Sequence, residues 1–402
     1  MLPLFYVFYH YFNLPFRAWE QRKLRDIANY RNGKAHEQVE DEDGKYTIIN
    51  SKFISTNGKV QRYTNEQVEP IFDGEIAMVL SDLPNGKALA KLFLVKEDGK
   101  YTLNQRIAGI TPNENIDPIF LNFRMNRNNY FLKFDSGVTQ TNLSKSQVEN
   151  FIALYPTFDE QYKIGLFFTQ LDDTIALHQR KLDALKLMKK AFSQQIFPEN
   201  NRKKPKIRFT SFYEEWEQRK IGEYGYFYYG KSAPKWSVAQ DATTPCVRYG
   251  ELYTKFGPEI DIVHSYTNID KSNLKFSSGN EVLVPRVGEN PLDFANCSWL
   301  SISNVAIGEM ISVYNTEQYP LFIAYYFRSK MKYEFAKRVE GGNVSNLYYS
   351  YLEDILISVP SIEEQKKIAE FLNKIDITIN LLQNKLGRIK ELKKAYLQNM
   401  FI

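Results

Sequence analysis

"PTFDEQYKIGLFFTQLDDTIALHQRKLDALKLMKKAFSQQIF" (Pro156–Phe197) returns 204 positions later as "PSIEEQKKIAEFLNKIDITINLLQNKLGRIKELKKAYLQNMF" (Pro360–Phe401), with 17 identities and no gap from Gln161 to Phe197. Most other positions are conservative swaps, such as Leu171 for Ile375 or Phe192 for Tyr396. A match this long marks an internal duplication. Each copy reads as one long helix. Apolar residues fall at Ile164, Phe167, Leu171, Ile175, Leu182 and Leu185 in the first, and at Ile368, Phe371, Ile375, Ile379, Leu382, Leu386 and Ile389 in the second. That spacing holds one narrow stripe on one side of each helix. Acids in the first turn (Asp159, Glu160; Glu363, Glu364) and lysine pairs near the end (Lys189, Lys190; Lys393, Lys394) suit the helix dipole. So narrow a stripe needs a second helix, and the duplicate supplies one. The expectation is an antiparallel coiled coil within the chain.

Working outward, "WEQRK" occurs at Trp19–Lys23 and again at Trp216–Lys220, an offset of 197. Before each helix the match thins but persists: Gly137 over Gly341, Asn142 and Leu143 over Asn346 and Leu347, Ser146 over Ser350, Glu149 over Glu353. The middles do not align. Shared edges and different middles are expected when the edges meet one common partner and each middle meets something of its own. The reading is an apolar N-terminal segment (1–15), a first globule (16–156), a central helix (157–198), a basic linker (199–211), a second globule (212–360) and a C-terminal helix (361–402). Short runs such as "YTIINSKFIS", "EIAMVL", "KLFLV", "EVLVPRV" and "EMISVY", punctuated by "NG", "DG" and "GG", predict strands; "DPIFLNFRMNRNNYFLKF" and "YPLFIAYYFRSKMKYEFAKRV" predict helices. The fold class is α+β.

At 402 residues with 43% apolar content, each globule can build its own core. A net charge of +5 and a pI near 8.7 suit a polyanionic partner without requiring one. Two cysteines, Cys246 and Cys297, form no disulfide framework and lack zinc spacing, so a reducing cytoplasm is expected. The apolar segment 1–15 has neither the basic start nor the cleavage site of a signal peptide and is too short to span a bilayer.

Catalytic and cofactor motifs are missing. There is no phosphate-binding GxxxxGK[ST], no GxGxxG and no HExxH, and the four histidines do not pair at ligand spacing, so no metal is expected. "NPLD" (Asn290–Asp293) lacks the third and fourth positions of an amino-methyltransferase motif and reads as a turn. What the globules do hold is basic and amide side chains on loop-like stretches: Arg31, Asn32, Lys34, Lys87, Gln105, Arg106, Arg124 and Arg127 in the first, and Lys231, Lys235, Trp236, Arg248 and Arg286 in the second. Arginine and lysine contact phosphates and guanine edges, and asparagine and glutamine read adenine. These residues are the candidate DNA-binding set.

The doubled "WEQRKL"-type opening, globule and "EEQKKIAEFLNKID…LKKAYLQNMF" helix resemble the specificity subunit of type I restriction-modification enzymes, from Trp19 to the end. The resemblance implies a non-catalytic subunit with two target-recognition domains. Each would read one half of a split double-stranded DNA sequence, and paired helices would bind two modification (methyltransferase) subunits. The motor and nuclease would belong to restriction subunits, and S-adenosylmethionine, ATP and Mg to those partners. Trp19 and Trp216 would be buried anchors. The first fifteen residues depart from the lead-in "PKIRFTSFYEEW" of the second unit. The other readings are a free-standing bipartite DNA-binding regulator and a coiled-coil scaffold for proteins.

A helix of about 40 residues is about 60 Å long, or roughly 18 base pairs of DNA. Deleting one helical turn from one long helix should therefore shorten the unread gap between half-sites and leave their bases unchanged. Methylation mapping of the variant tests this, and altered half-site bases would refute a ruler.

Overall fold

The structure, a computed structural model, describes residues 19–36, 38–84, 86–199, 202–239 and 241–401; the apolar segment 1–15 lies outside them. Two compact units divide the fold: the described parts of Met1–His178 with Leu386–Ile402, and Gln179–Lys385. Each unit thus takes one globule and a portion of both long helices.

In chain order the first globule contributes β1 (Glu20–Lys23), β2 (Ala28–Asn32), β3 (Tyr46–Ile49), α1 (Ser51–Ser55), β4 (Ile76–Val79), β5 (Leu92–Leu94), β6 (Tyr101–Leu103), β7 (Ile107–Pro112), α2 (Pro118–Met125) and β8 (Ile152–Tyr155), and then α3 (Phe158–Gln195) begins. The second contributes β9 (Glu217–Lys220), β10 (Gly225–Tyr229), β11 (Thr244–Val247), α4 (Tyr249–Thr254), β12 (Glu281–Pro285), β13 (Ser298–Leu300), β14 (Ser303–Ile307), β15 (Ile311–Thr316), α5 (Pro320–Lys330), β16 (Leu356–Val359) and the long α6 (Ile362–Met400).

Although their middles share no readable sequence, the globules share a topology. One antiparallel sheet runs β2-β7-β4-β5 in the first and β10-β15-β12-β13 in the second, where Glu259–Ile260 adds an edge. A second sheet is built on a parallel pair, β3 with β6 and β11 with β14. The repeated pentapeptide forms an antiparallel ribbon with the strand leading into the long helix, Glu20 opposite Tyr155 and Glu217 opposite Val359. One expected strand is corrected: "YTIINSKFIS" breaks at Asn50, whose side chain accepts from Phe53 N at 2.8 Å and starts α1.

The long helices are fastened by the residues that repeat. Gln161 is buried, accepts from the Asp117 N–H at 3.0 Å and donates to the Pro156 carbonyl at 2.9 Å. Gln365 does the same with Tyr319 N (2.9 Å) and the Pro360 carbonyl (2.8 Å). Antiparallel pairing shows in contacts that recur with roles exchanged. In the first unit Phe167 meets Tyr396 at 5.1 Å and Lys393 reaches Asp172 at 2.5 Å. In the second, Phe371 meets Phe192 at 5.1 Å and Lys189 reaches Asp376 at 2.5 Å. Of the stripe residues, Ile164, Leu182, Ile368, Ile375, Ile379, Leu382 and Leu386 are buried; Phe167, Leu171, Ile175, Leu185, Phe371 and Ile389 are half-buried.

The basic linker is tied down. Arg208 forms a bidentate pair with Glu364 (2.8 Å twice), Lys206 pairs with Glu199, and the Arg202 and Lys203 carbonyls accept from Ser358 Oγ and Trp216 N. The tryptophans differ. Trp216 is 1% exposed against Phe322, whereas Trp19 is only half-buried, edge-on to Phe120 with its Nε1 donating to Glu160. Trp216→Ala is accordingly expected to cost about 3–5 kcal/mol, and Trp19→Ala clearly less. Denaturant melts of the two variants check the order, and equal losses would contradict it.

Candidate nucleic-acid interface

In each globule a three-residue turn passes from the sheet built on the parallel pair to the antiparallel sheet. In the first globule the turn is Asn104-Gln105-Arg106, joining β6 to β7; in the second it is Gly308-Glu309-Met310, joining β14 to β15. Four backbone bonds from neighbouring strand ends lock the first turn: Gly33 N to Ile107 O (2.8 Å), Lys34 N to Leu103 O (3.0 Å), Leu80 N to Arg106 O (3.0 Å) and Asn104 N to Ile49 O (3.0 Å). The second turn repeats all four: Gly230 N to Ile311 O (3.0 Å), Lys231 N to Ile307 O (2.9 Å), Arg286 N to Met310 O (3.1 Å) and Gly308 N to Val247 O (2.9 Å). Glycine is required at the clamp. A Cβ on Gly33 would overlap the Asn104 carbonyl, and one on Gly230 the Gly308 carbonyl.

This frame gathers several of the candidate residues and leaves others out. In the first globule Lys34, Gln105 and Arg106 are exposed around the turn, with Lys34 Nζ 3.1 Å from Glu69. Asn32, just before the clamp glycine, is exposed and accepts from Tyr30 Oη at 2.6 Å. Lys87 is exposed in the loop after Leu80. In the second, Lys231 and Arg286 are tied to the turn by the bonds just given, and Arg248 directly follows Val247, whose carbonyl accepts from Gly308 N. Arg286 lies over Tyr229 (4.4 Å) and Tyr348 (5.5 Å), and its buried Nε has no hydrogen-bond partner among the described residues. Lys235 and Trp236 follow on a short 3-10 turn, and Trp236 is 79% exposed, a surface on which a base can stack.

Two arginines are committed within the fold, and a third is half-buried. Arg31 bonds Glu75 at 2.6 and 2.7 Å, Glu69 at 3.1 Å and the Pro70 carbonyl at 3.0 Å. Arg124 is buried and donates to the Phe401 carbonyl; burial holds its guanidinium below the ordinary range. Arg127 is half-buried with a left-handed φ of 50°, its N–H held by the Ala90 carbonyl. Arg31 and Arg124 thus brace the fold, whereas Arg127 Nη1 is buried without a hydrogen-bond partner among the described residues. The residues missed from sequence are Glu309, Tyr229, Tyr348 and Lys275, whose Nζ reaches the Tyr229 carbonyl at 2.7 Å. One signal was there to be read: Gly33-Lys34 and Gly230-Lys231 stand at the same 197-residue offset as the repeated pentapeptide.

A family model described as the type I restriction modification DNA specificity domain matches the chain twice, over residues 17–187 and 213–391. The chain belongs to that family, and it is a non-catalytic DNA specificity subunit of the type I restriction-modification class. The type I restriction enzyme MjaVIII specificity subunit of Methanocaldococcus jannaschii is 24% identical, with 94% of this chain and 90% of that one covered. Among solved structures, the type I restriction-modification S subunit from M. genitalium matches with a TM-score of 0.61 at 12% identity, covering 97% of this chain and 98% of that one. A chain from a structure of type I complex assembly matches with a TM-score of 0.51 at 16% identity, covering 96% and 98%. These two show likeness of fold. No helix among the described residues is long and apolar enough to cross a membrane.

The Arg31 network yields a stability test. Burial pushes the Glu75 carboxyl up, but bonds from Arg31, Thr111 and Phe72 N outweigh it and leave the group below its ordinary value. A lowered carboxyl contributes stability above its unfolded pKa, and that stability is lost as pH falls through the folded one. Arg31→Met should cost about 2–3 kcal/mol at neutral pH, toward the low side for a buried pair because Arg31 is 28% exposed. The difference from wild type should shrink below about pH 4. Urea melts across pH check it; a pH-independent difference would assign the loss to packing.

Proposed function

We propose that the chain reads a bipartite double-stranded DNA target, one half per globule, and directs adenine methylation or restriction by partner subunits. The observation that carries this is the doubled turn: equivalent backbone bonds in both globules hold Asn-Gln-Arg in one and Gly-Glu-Met in the other. One frame with two different sets of side chains suits two different half-sites.

The edges, in contrast, repeat down to single bonds, which suits two copies of one partner. Exposed apolar residues on the long helices repeat as well. Leu177 and its duplicate Leu381 are 58% and 65% exposed, and Met188 and its duplicate Leu392 are both 40% exposed. These are our candidates for contact with two modification subunits, a surface apolar residues alone would not favour in water. S-adenosylmethionine would belong to those subunits, and ATP and Mg to the restriction subunits. The setting we expect is the cytoplasm, where the buried thiols of Cys246 and Cys297 stay reduced.

Replacing residues 212–360 with the matching segment of another family member should change one half-site and preserve the other. Sequencing of methylated sites after co-expression with the modification subunits reads this directly, and change at both half-sites would refute separate reading.

A further inference from the structure

Resting on that reading, we infer that the locked three-residue turn is the specificity-determining element of each globule: Gln105 and Arg106 in the first, Glu309 together with Arg286 in the second, with the Gly-Lys pair as its positioning frame.

The turn is fixed by its strand-end neighbours. All four bonds that hold it run between main-chain atoms, so none depends on the turn's own side chains. Residues 104–106 and 308–310 can therefore differ completely while the backbone keeps its place. A reading element needs that separation of frame from content. The frame itself is constant in chemistry: a glycine that permits close approach, then an exposed lysine, Lys34 or Lys231, suited to gripping a phosphate beside the bases.

The contents then suggest what each turn reads. In the first globule Gln105 and Arg106 are both exposed, and Arg106 makes no ion pair among the described residues. An arginine fork matches the two acceptors of a guanine edge, and a glutamine amide matches adenine. In the second globule the arginine has moved across a hydrogen bond. Arg286 donates its N–H to Met310 O, whereas Arg106 supplies the equivalent carbonyl to Leu80 N. Its guanidinium is held between Tyr229 and Tyr348, a rigid mount for a planar donor. Beside it Glu309 is exposed, its N–H fixed to the Ser232 carbonyl, with no ion pair among the described residues. A carboxylate at a DNA-facing turn is repelled by phosphate and is favourable only where it accepts from a base amino group. Glu309 is thus suited to cytosine or adenine, and its charge disfavours bases that present only acceptors.

The test uses the full chain assembled with its modification subunits and measures methylation of duplexes randomised at each half-site. Arg106→Ala should relax one base position of one half-site, lowering discrimination there roughly tenfold to a hundredfold, with the other half-site unchanged. Glu309→Gln, which replaces a pure acceptor by a group that also donates, should alter one position of the opposite half-site. If Arg106→Ala lowers the melting temperature, Arg106→Lys answers the same question, because it keeps the charge and loses the fork. Unchanged discrimination in these variants would overturn the inference. So would a uniform loss across all duplexes, which would make the residues backbone contacts. Failure of the underlying reading looks different: the wild-type complex itself would show no split motif.

Discussion

Two buried glutamine side chains hold the architecture together. Gln161 and Gln365 each bridge a backbone N–H that opens a globular-domain helix and a proline carbonyl that precedes a long helix. Each buried amide bond contributes about 0.5–1.5 kcal/mol, but removing the glutamine would strand two buried backbone groups at a cost of about 1–3 kcal/mol apiece. Through this bridge the start of each long helix is set against α2 or α5, and those helices pack on the sheet that the turns lead into. The glutamine repeats because no other side chain of that length both donates and accepts at these two points.

From that fixed end the chain can vary outward. The ribbon of β1 with β8, or β9 with β16, repeats its register, and helix contacts such as Lys393 with Asp172 and Lys189 with Asp376 recur in both units. The turns between the sheets keep their backbone bonds and the Gly-Lys pair but change their own side chains. A protein that must present two different surfaces to DNA and one repeated surface to its partners needs this gradient from constant to variable.

Much of this was legible in the sequence. The long helices, their pairing and the two-domain plan follow from periodicity and repetition, because both are local or self-referential signals. The common topology of the middles was not legible, since strands of two to six residues pair over long separations and almost any apolar residue serves at Ile76 or Val282. The candidate arginines divided for a related reason. Arg31 and Arg106 look alike in a sequence, and only the fold shows that Glu75 and Glu69 converge on the first. Trp19 and Trp216 occupy identical words, yet Trp216 is packed by Phe322 while Trp19 lies partly open. The ties of the linker were not legible either, because its acids, Glu199, Glu215 and Glu364, lie outside or at the edge of the basic run.

The central claim is that this one chain supplies two independent reading heads for a single DNA target. Single-base mapping of methylated adenines, in cells that express the chain with its modification subunits and in cells that lack it, tests that claim most directly. A chain-dependent motif of two short specific halves separated by a fixed unread gap is the expected result. A continuous motif, or methylation that does not depend on the chain, would contradict it.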